Sequence, residues 1–347
     1  MRWPSPLAGA KLICPFVPSG PSQGKRMKVI ICGAGDMGGV HFETYSSIDG
    51  VSVAAVSDPD PRRLQPFERR AARLYSSSEE MIDEVAADCV SIAAPTAFHA
   101  PLAIRALSRG MNVFCEKPMA RTLAQGKAMT AAAKKARKIL AIGYVLRFNE
   151  AYRLAREMVM SGRLGTIGTI RTSRCARLSA LWHSDVAANG GATFELLTHD
   201  LDWLAWTLGP VRRVFARGLS AGARAGKRDY TLALLRFRNG AVAHLEGSLA
   251  EAGDFYATYE IAGSGGLLSY DTRRSASLEA SLITPSGLES YRKAPSAVRP
   301  FASQIQTFVD CVRRGTPFSP SPAESLTALR LASAVEKSVL TGKPMQV

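Results

Sequence analysis

Short apolar blocks alternate with longer mixed stretches along the first half of the chain, and this pattern predicts strands that alternate with helices. Blocks of about five residues rich in valine and isoleucine are typical of strands buried in a parallel sheet. Such blocks lie at 28–32, 51–56, 89–94, 111–115 and 139–144. The stretches between them predict helices at 37–47, 101–108 and 122–137, with 96–99 as a loop. The alternation indicates a doubly wound α/β domain with a parallel sheet.

After residue 148 the predicted strands become longer and the pattern favours antiparallel pairing. Helices are predicted to about residue 160 and at 193–208, 301–313 and 323–340, and strands at 166–177, 232–237 and 241–248. Asn239-Gly240 predicts a hairpin turn, and 263–266 predicts a second tight turn. A chain of 347 residues with 46% hydrophobic content can form two domains. We therefore expect an α/β domain at 27–148 and an α+β domain at 149–347.

The first 26 residues differ in composition from the rest of the chain. They are rich in proline, glycine and serine, and Pro15 interrupts their one apolar stretch, so they suit neither a signal peptide nor a membrane span. We expect a disordered leader at 1–26, either a misread start upstream of Met27 or a flexible arm. Since no later segment resembles a membrane span, a soluble cytoplasmic protein is predicted.

A glycine-rich turn follows the first predicted strand. Its residues are Gly33, Ala34, Gly35, Asp36, Met37 and Gly38. A strand before the turn, a helix after it, and Asp58 at the end of the next strand together form the context of a dinucleotide site. In that context Gly33 permits the turn, Gly35 lets the backbone approach a pyrophosphate, and Gly38 lets the helix pack closely on the strand.

The residues around Asp58 bear on the choice of dinucleotide. Asp58 is predicted to accept hydrogen bonds from the ribose hydroxyls, which favours NAD over NADP. Ser57, Arg62 and Arg63 are close enough in sequence to bind a 2′-phosphate. NADP therefore stays an alternative cofactor.

Further polar residues follow the ends of the other strands, where ligands bind in doubly wound sheets. The candidates for cofactor binding there are Pro95, Thr96, His99, Glu116 and Lys117. In the second domain, the predicted helix at 193–208 carries Glu195, His199 and Asp202 among apolar residues. Positions three and four apart share a helix face, so an acid, a base and an acid are expected to lie together.

Charge and cysteine content exclude some other classes of protein. The chain has a net charge of +15 and a pI near 9.8, but its arginines are scattered and no nucleic-acid motif accompanies them. We expect a solvated basic surface, with an acidic substrate or partner as the alternative. The six cysteines stand singly without metal-ligand spacing, which predicts reduced thiols and no metal site.

From Met27 onward, the motifs agree in order and spacing with a known family. The chain resembles the Gfo/Idh/MocA family of nicotinamide-dependent oxidoreductases, which includes glucose-fructose oxidoreductase and inositol 2-dehydrogenase. The resemblance rests on 33–38 with His41, Asp58, Ala94-Pro95 with His99, Glu116-Lys117-Pro118, 144–148, 195–202 and 341–344. It implies a Rossmann domain, a substrate domain with an open and mostly antiparallel sheet, and homo-dimers or homo-tetramers formed through that sheet.

The resemblance also implies the chemistry of the site. Members oxidise a ring hydroxyl of a sugar or cyclitol, or reduce the matching ketone, with NAD or NADP. Lys117 matches the lysine beside the reacting oxygen, and His199 matches the second acid/base group. Either one takes the hydroxyl proton as hydride leaves, without a metal. The family usually has aspartate at the position of Glu195. We expect Glu195 to be a third catalytic residue, with a side chain one methylene longer than that aspartate.

Candidates for substrate contact are Arg147, Trp182, His183 and Asp185, together with Glu195 and His199. Two alternative functions remain open at this stage. One is a redox-neutral, NAD-dependent glycosidase or lyase, and the other is a non-catalytic regulator that senses dinucleotides. The sequence leaves the particular substrate, the direction of reaction and the oligomeric state open.

Overall fold

The computed structural model describes residues 26–70, 73–176, 191–219, 229–251, 253–295 and 299–347. The described chain forms two compact units. The first contains residues up to 145 together with 299–329, and the second contains 146–298 and 330–347. The sequence-based division assigned 299–329 to the second domain, whereas its contacts group it with the first unit. The expected leader lies outside the described residues, apart from Arg26.

The first unit is built on a six-stranded parallel sheet. Its strands are β1 Met27–Cys32, β2 Val51–Ser57, β3 Arg73–Tyr75, β4 Cys89–Ile92, β5 Asn112–Cys115 and β6 Leu140–Ile142. They lie in the order β3-β2-β1-β4-β5-β6, and every pairing is parallel. The direction of winding reverses between β1 and β4, which is where doubly wound sheets bind ligands. This confirms the predicted fold class, and it adds the edge strand β3.

Nine α-helices lie among the described residues of the two units. In chain order they are α1 Asp36–Ser46, α2 Pro61–Leu64, α3 Ser78–Glu84, α4 Thr96–Ser108, α5 Leu123–Ala136, α6 Glu150–Met160, α7 Thr198–Leu208, α8 Pro300–Arg314 and α9 Pro322–Thr341. The start of α5 has a capping box, in which Thr122 and Gln125 each accept the other's backbone N–H.

Helix α4 corrects one prediction. Residues 96–99 were expected to form a loop before a helix starting at Pro101, but α4 begins at Thr96 and contains Pro101. Proline lacks an N–H, so at this position it removes one intrahelical hydrogen bond, to the carbonyl of Ala97. The remaining turns of the helix, with six buried residues from His99 to Leu107, compensate for that loss.

The second unit is built on a nine-stranded sheet among the described residues. Its strands are β7 Ile167–Cys175, β8 Val211–Leu219, β9 Tyr230–Phe237, β10 Val242–Ser248, β11 Tyr256–Gly263, β12 Gly266–Asp271, β13 Leu278–Thr284, β14 Gly287–Lys293 and β15 Met345–Gln346. The order is β14-β13-β12-β11-β7-β10-β9-β8-β15, and only the β7–β10 pair is parallel. The expected mostly antiparallel sheet and the hairpin turn at Asn239-Gly240 are confirmed.

Helices α6 and α7 pack through a cluster of aromatic side chains. Tyr152 of α6 meets Trp203 of α7 at 5.0 Å between ring centroids and Tyr259 of β11 at 5.2 Å. The indole N–H of Trp203 donates to the carbonyl of Tyr152, and the hydroxyl of Tyr259 donates to the carbonyl of Ala151. Buried aromatic groups of this kind contribute large apolar area while their polar atoms stay paired. The cluster therefore fixes α7, which carries His199.

Candidate active site

Two glycines of the turn after β1 are required by the protein's own backbone. Gly33 has φ +98°, and a Cβ there would lie 2.6 Å from the carbonyl oxygen of Ala93. A Cβ at Gly38 would overlap the carbonyl oxygen of Gly33. Glycine is therefore needed at Gly33 for the turn and at Gly38 for close packing of α1.

Gly35 differs, because the protein does not fill the space beside it. Its φ is −75°, and the one atom within 4 Å of a Cβ there is Nη1 of Arg63, at 3.7 Å. Gly35 is also the N-cap of α1, and no side chain caps it. The first N–H groups of α1 are thus available to an anion, as the pyrophosphate of a dinucleotide requires. The residues present fit that group.

This asymmetry gives a testable prediction. Gly35→Ala should lower NADH affinity about tenfold or more, because the added Cβ would occupy the space for the pyrophosphate. Gly39→Ala is the matched control, since a Cβ at this other glycine of α1 meets nothing within 4 Å. Titration of NADH fluorescence measures both variants. Equal affinities in Gly35→Ala, Gly39→Ala and the unmodified protein would contradict a pyrophosphate at Gly35.

Asp58 lies at the end of β2, as expected, but its carboxylate is already engaged. It is 4% exposed, Oδ2 accepts the N–H of Ala34 at 2.9 Å, and Oδ1 accepts the N–H of Asp60 at 2.9 Å. A carboxylate has about four lone-pair sites, so it retains capacity for a ribose hydroxyl. Asp58 therefore also holds the glycine turn in place.

The three residues considered for a 2′-phosphate are in different situations. Ser57 is buried and bonds Ser78, while Arg62 donates to both carboxylate oxygens of Asp60. Arg63 places Nη1 3.9 Å from Oδ2 of Asp58 and is about half exposed. Of the three, Arg63 is the cation that lies beside the glycine turn.

The loop after β5 contains Glu116, Lys117 and Pro118. Glu116 is 8% exposed, and Lys117 is partly exposed at the same edge of the sheet as the glycine turn. Nε2 of His41 lies 3.1 Å from Oε1 of Glu116, and Nδ1 of His41 lies 2.9 Å from Oγ of Ser91. Sequence reasoning gave His41 no role and missed Ser91, because nothing in their spacing links α1 and β4 to this loop.

His99 was expected to bind the cofactor, and the structure gives its ring other partners. His99 is 1% exposed, with Nδ1 2.8 Å from the carbonyl oxygen of Pro118 and Nε2 2.8 Å from that of Ala94. Burial lowers the pKa of His99, although both carbonyls oppose the shift. A neutral ring carries one N–H and donates to one of them. The buried ring of His99 thus lies against the loop of Lys117. Pro95 and Thr96 lie where α4 begins, at the end of β4.

In the second unit, Glu195 and His199 stand out by their exposure. Every other residue from 191 to 204 is buried, whereas these two are partly exposed. The five residues Thr193–Leu197 form a π-helical turn that leads into α7. Such turns are frequent at functional sites, because they change which side chains a helix presents. The predicted pairing of Glu195 and His199 on one accessible face is consistent with this pattern.

The structure gives two neighbouring candidates a buried ion pair with each other. Asp202 was expected to complete a stack with His199, but it is 1% exposed and accepts from Nε and Nη2 of Arg147 at 2.8 and 2.7 Å. Arg147 was expected to contact substrate, but it is 3% exposed and its guanidinium is engaged in this buried ion pair. The other substrate candidates, Trp182, His183 and Asp185, lie outside the described residues.

A second buried ion pair flanks His199, and the sequence gave no sign of it. Nε of Arg174 donates to Oδ2 of Asp200 at 2.7 Å, and Nη2 donates to Oδ1 at 3.1 Å and to the hydroxyl of Tyr152 at 2.9 Å. Asp200 and Asp202, one and three residues after His199, thus hold α7 through two buried ion pairs. Burial raises the pKa of Tyr152, so its hydroxyl stays protonated.

Other kinds of site are absent from the part of the chain that the structure describes. Within it, no group of three or more His, Cys, Asp or Glu side chains could hold a metal ion. Among those same residues, no helix has both the length and the apolar composition to cross a membrane. The strand order and the turn that is open at Gly35 define the first unit as a dinucleotide-binding domain of the Rossmann type.

Comparison with known proteins identifies the family. A model described as "Oxidoreductase family, NAD-binding Rossmann fold" matches residues 27–144, and "GFO/IDH/MocA C-terminal domain" matches 152–269. Together they cover more than half of the chain, which therefore belongs to the Gfo/Idh/MocA family of NAD-dependent oxidoreductases.

Relatives match along nearly the whole chain. Myo-inositol 2-dehydrogenase of Thermotoga maritima is 28% identical over 90% of this chain and 96% of its own length. Inositol 2-dehydrogenase of Rubrobacter xylanophilus is 26% identical over 93% and 94%, respectively. Among solved structures, GenD2 from gentamicin A biosynthesis, in complex with NAD, has a TM-score of 0.84 and 26% identity, and the match covers 96% of this chain and 99% of GenD2.

Proposed function

We propose that the protein is an NAD-dependent dehydrogenase or reductase acting on a ring hydroxyl, or the matching carbonyl, of a cyclitol or related sugar. The observation that carries this proposal is the pair of partly exposed groups, Glu195 and His199, within residues 191–204, which are otherwise buried. The relatives named as inositol 2-dehydrogenases support the substrate class, since they match the chain over 90% or more of its length.

The proposed roles follow from the chemistry of each group. When bound, NAD⁺ supplies the hydride acceptor. His199 removes the hydroxyl proton in the oxidation, and the ammonium of Lys117 stabilises the developing alkoxide. Glu195 accepts a hydrogen bond from a neighbouring substrate hydroxyl, in place of the shorter aspartate usual in the family. We also propose that Gly33, Gly35, Gly38 and Asp58 bind the dinucleotide.

NADP is proposed as a second, weaker cofactor, and its support is the position of Arg63. The carboxylate of Asp58 repels a 2′-phosphate, whereas the guanidinium of Arg63, which lies 3.9 Å from that carboxylate, attracts one. Parallel assays with NAD⁺ and NADP⁺ measure the balance between the two effects.

We propose a homo-oligomer formed through the open face of the large sheet, in a cytoplasmic protein. The support is a set of exposed apolar side chains that the strand register places on one face of that sheet. The set consists of Leu234, Leu267, Ile283 and Leu288. Light scattering of the purified protein tests for a dimer or tetramer, and a monomer at micromolar concentration would contradict the proposal.

The experiment that tests the function is a spectrophotometric assay of NADH formation. The purified protein is mixed with NAD⁺ or NADP⁺ and challenged with a panel of inositols, sugars and sugar acids. A stoichiometric rise in NADH absorbance with one class of substrate is the expected result. No net NADH, combined with conversion of a glycoside and dinucleotide released on denaturation, would instead indicate the redox-neutral glycosidase or lyase.

The role of His199 gives a separate prediction. His199→Asn should lower kcat by about 10²–10³-fold, because an amide cannot accept and release the hydroxyl proton near neutral pH. His244→Asn is the control, since the partly exposed His244 of β10 pairs with Leu234 on the face of the sheet that is proposed for assembly, where no catalytic role is proposed. Steady-state kinetics on the substrate from the panel measures both variants. A higher KM with unchanged kcat in His199→Asn would instead show that the histidine contributes only to substrate binding.

A further inference from the structure

The Glu116 side chain is held from three directions inside the first unit. Nε2 of His41 contacts one carboxylate oxygen at 3.1 Å, and the backbone N–H of Lys117 donates to the other at 3.3 Å. Gly143, after β6, lies on the third side, where a Cβ would come within 3.0 Å of both oxygens. The carboxylate is therefore restricted to one position, in which it accepts a hydrogen bond from the backbone N–H of Lys117.

His41 is itself fixed by Ser91 of β4. In the neutral ring, Nε2–H donates to Glu116 while Nδ1 accepts from the Ser91 hydroxyl, so a single tautomer satisfies both contacts. His41 and Ser91 are each 0% exposed. A serine, a histidine and an acid linked by hydrogen bonds are typical of acyl-transfer enzymes. Here, however, both the serine hydroxyl and the histidine ring are buried away from solvent. The function of these hydrogen bonds must therefore lie in the loop of Glu116 and Lys117 that they hold.

The same loop is held from its other end by His99. The buried ring of His99 lies between the carbonyl of Pro118, next to Lys117, and the carbonyl of Ala94 at the end of β4, with a ring nitrogen 2.8 Å from each oxygen. Buried side chains therefore contact the backbone on both sides of Lys117. A lysine that must present its ammonium at a fixed point requires a backbone fixed in this way.

We propose that His41 is a positioning residue of the reaction, which acts through Glu116 on the loop that presents Lys117. The inference rests on the proposed function of Lys117. Helix α1 begins at the glycine turn, at Asp36, and carries His41 five residues later. One helix therefore serves both the dinucleotide and, through His41, the lysine. Without the histidine, Glu116 would keep a buried carboxylate with one donor fewer, and it would move towards water.

The test measures the loop directly, by hydrogen–deuterium exchange of the peptide that contains Lys117. His41→Leu should accelerate exchange of the Lys117 amide about tenfold, which corresponds to a loss of about 1.4 kcal/mol of local protection. The same variant should lower kcat about tenfold or more while NADH affinity, measured by fluorescence, stays within about threefold. Glu116→Gln should give the same pattern, and the double variant should be no worse than the worse single variant, because the two residues act as one unit.

Two further variants separate positioning from general loss of structure. His41→Gln keeps an amide donor and should recover part of both the protection and kcat. Ser338→Ala is the matched control for Ser91→Ala, since both serines are 0% exposed and hydrogen-bonded, but Ser338 lies in the second unit. Ser91→Ala should accelerate exchange at Lys117, and Ser338→Ala should not.

The possible outcomes are distinguishable. Unchanged exchange at Lys117 in His41→Leu, or losses of kcat that add in the double variant, would overturn the positioning role. Full turnover in Lys117→Ala would instead overturn the proposed function, while the exchange measurement would still report whether His41 holds the loop.

Discussion

Lys117→Ala is expected to lower kcat by about 10²–10⁴-fold, the range that a positioned proton-transfer or charge-stabilising group contributes. Lys117 is partly exposed, it follows β5 at the edge of the sheet that carries the glycine turn, and its backbone is fixed by Glu116. The alanine variant keeps that backbone but removes the ammonium. Transition-state stabilisation is thus lost, whereas the glycine turn and Asp58 are untouched. NADH affinity should change by less than about threefold.

Lys127→Ala is the control for this experiment, because Lys127 is exposed on α5 in the same unit. Its kcat should stay within about twofold of the unmodified protein, as expected for a surface substitution. Lys117→Arg adds a second comparison, since arginine retains the charge but presents it on a planar guanidinium instead of a compact ammonium. A large loss of NADH binding in Lys117→Ala, with kcat preserved at saturating cofactor, would move the lysine from the chemistry to cofactor binding.

The parts of the fold that the sequence predicted are those determined by local chemistry. β1 and α1 follow from a β-branched run, a glycine that must adopt φ +98° and a glycine at the helix–strand contact. β3 was missed because three residues at a sheet edge, none of them buried, give no periodic signal. The start of α4 was misplaced because Pro101 was treated as a boundary, whereas tertiary burial of the helix outweighed one missing hydrogen bond.

The candidate site likewise contains features that the sequence predicted and features that it did not. Spacing alone predicted that Glu195 and His199 share a face, and their exposure agrees with that prediction. Spacing also suggested Asp202 as a partner of His199, but it gave no sign that Asp202 accepts two hydrogen bonds from Arg147, 55 residues away. Likewise His99 follows β4, as expected, yet its ring bonds the carbonyl of Pro118, 19 residues later. Local patterns predict which face a side chain is on, whereas the identity of a buried partner depends on how distant segments pack.

Asp200→Ala is expected to lower the free energy of unfolding by about 3–5 kcal/mol, because it leaves the Arg174 guanidinium buried without its carboxylate. The two side chains are 6% and 2% exposed, so water cannot replace the lost partner. Chemical denaturation of the full chain measures the change. Arg62→Ala removes a pair of similar geometry in which the arginine side chain is 84% exposed, and it should leave the free energy of unfolding nearly unchanged.

A third variant shows whether the Arg174–Asp200 pair serves stability or the placement of His199. Replacing both partners by apolar residues, in Arg174→Met with Asp200→Leu, removes the buried charges together and should restore much of the stability. If the pair also orients α7, this stable double variant should still have reduced kcat, because Asp200 is adjacent to His199 and its bonds to Arg174 limit rotation of the helix. Full activity in a stable double variant would show that the aromatic packing of Trp203 against Tyr152 is sufficient to hold the histidine.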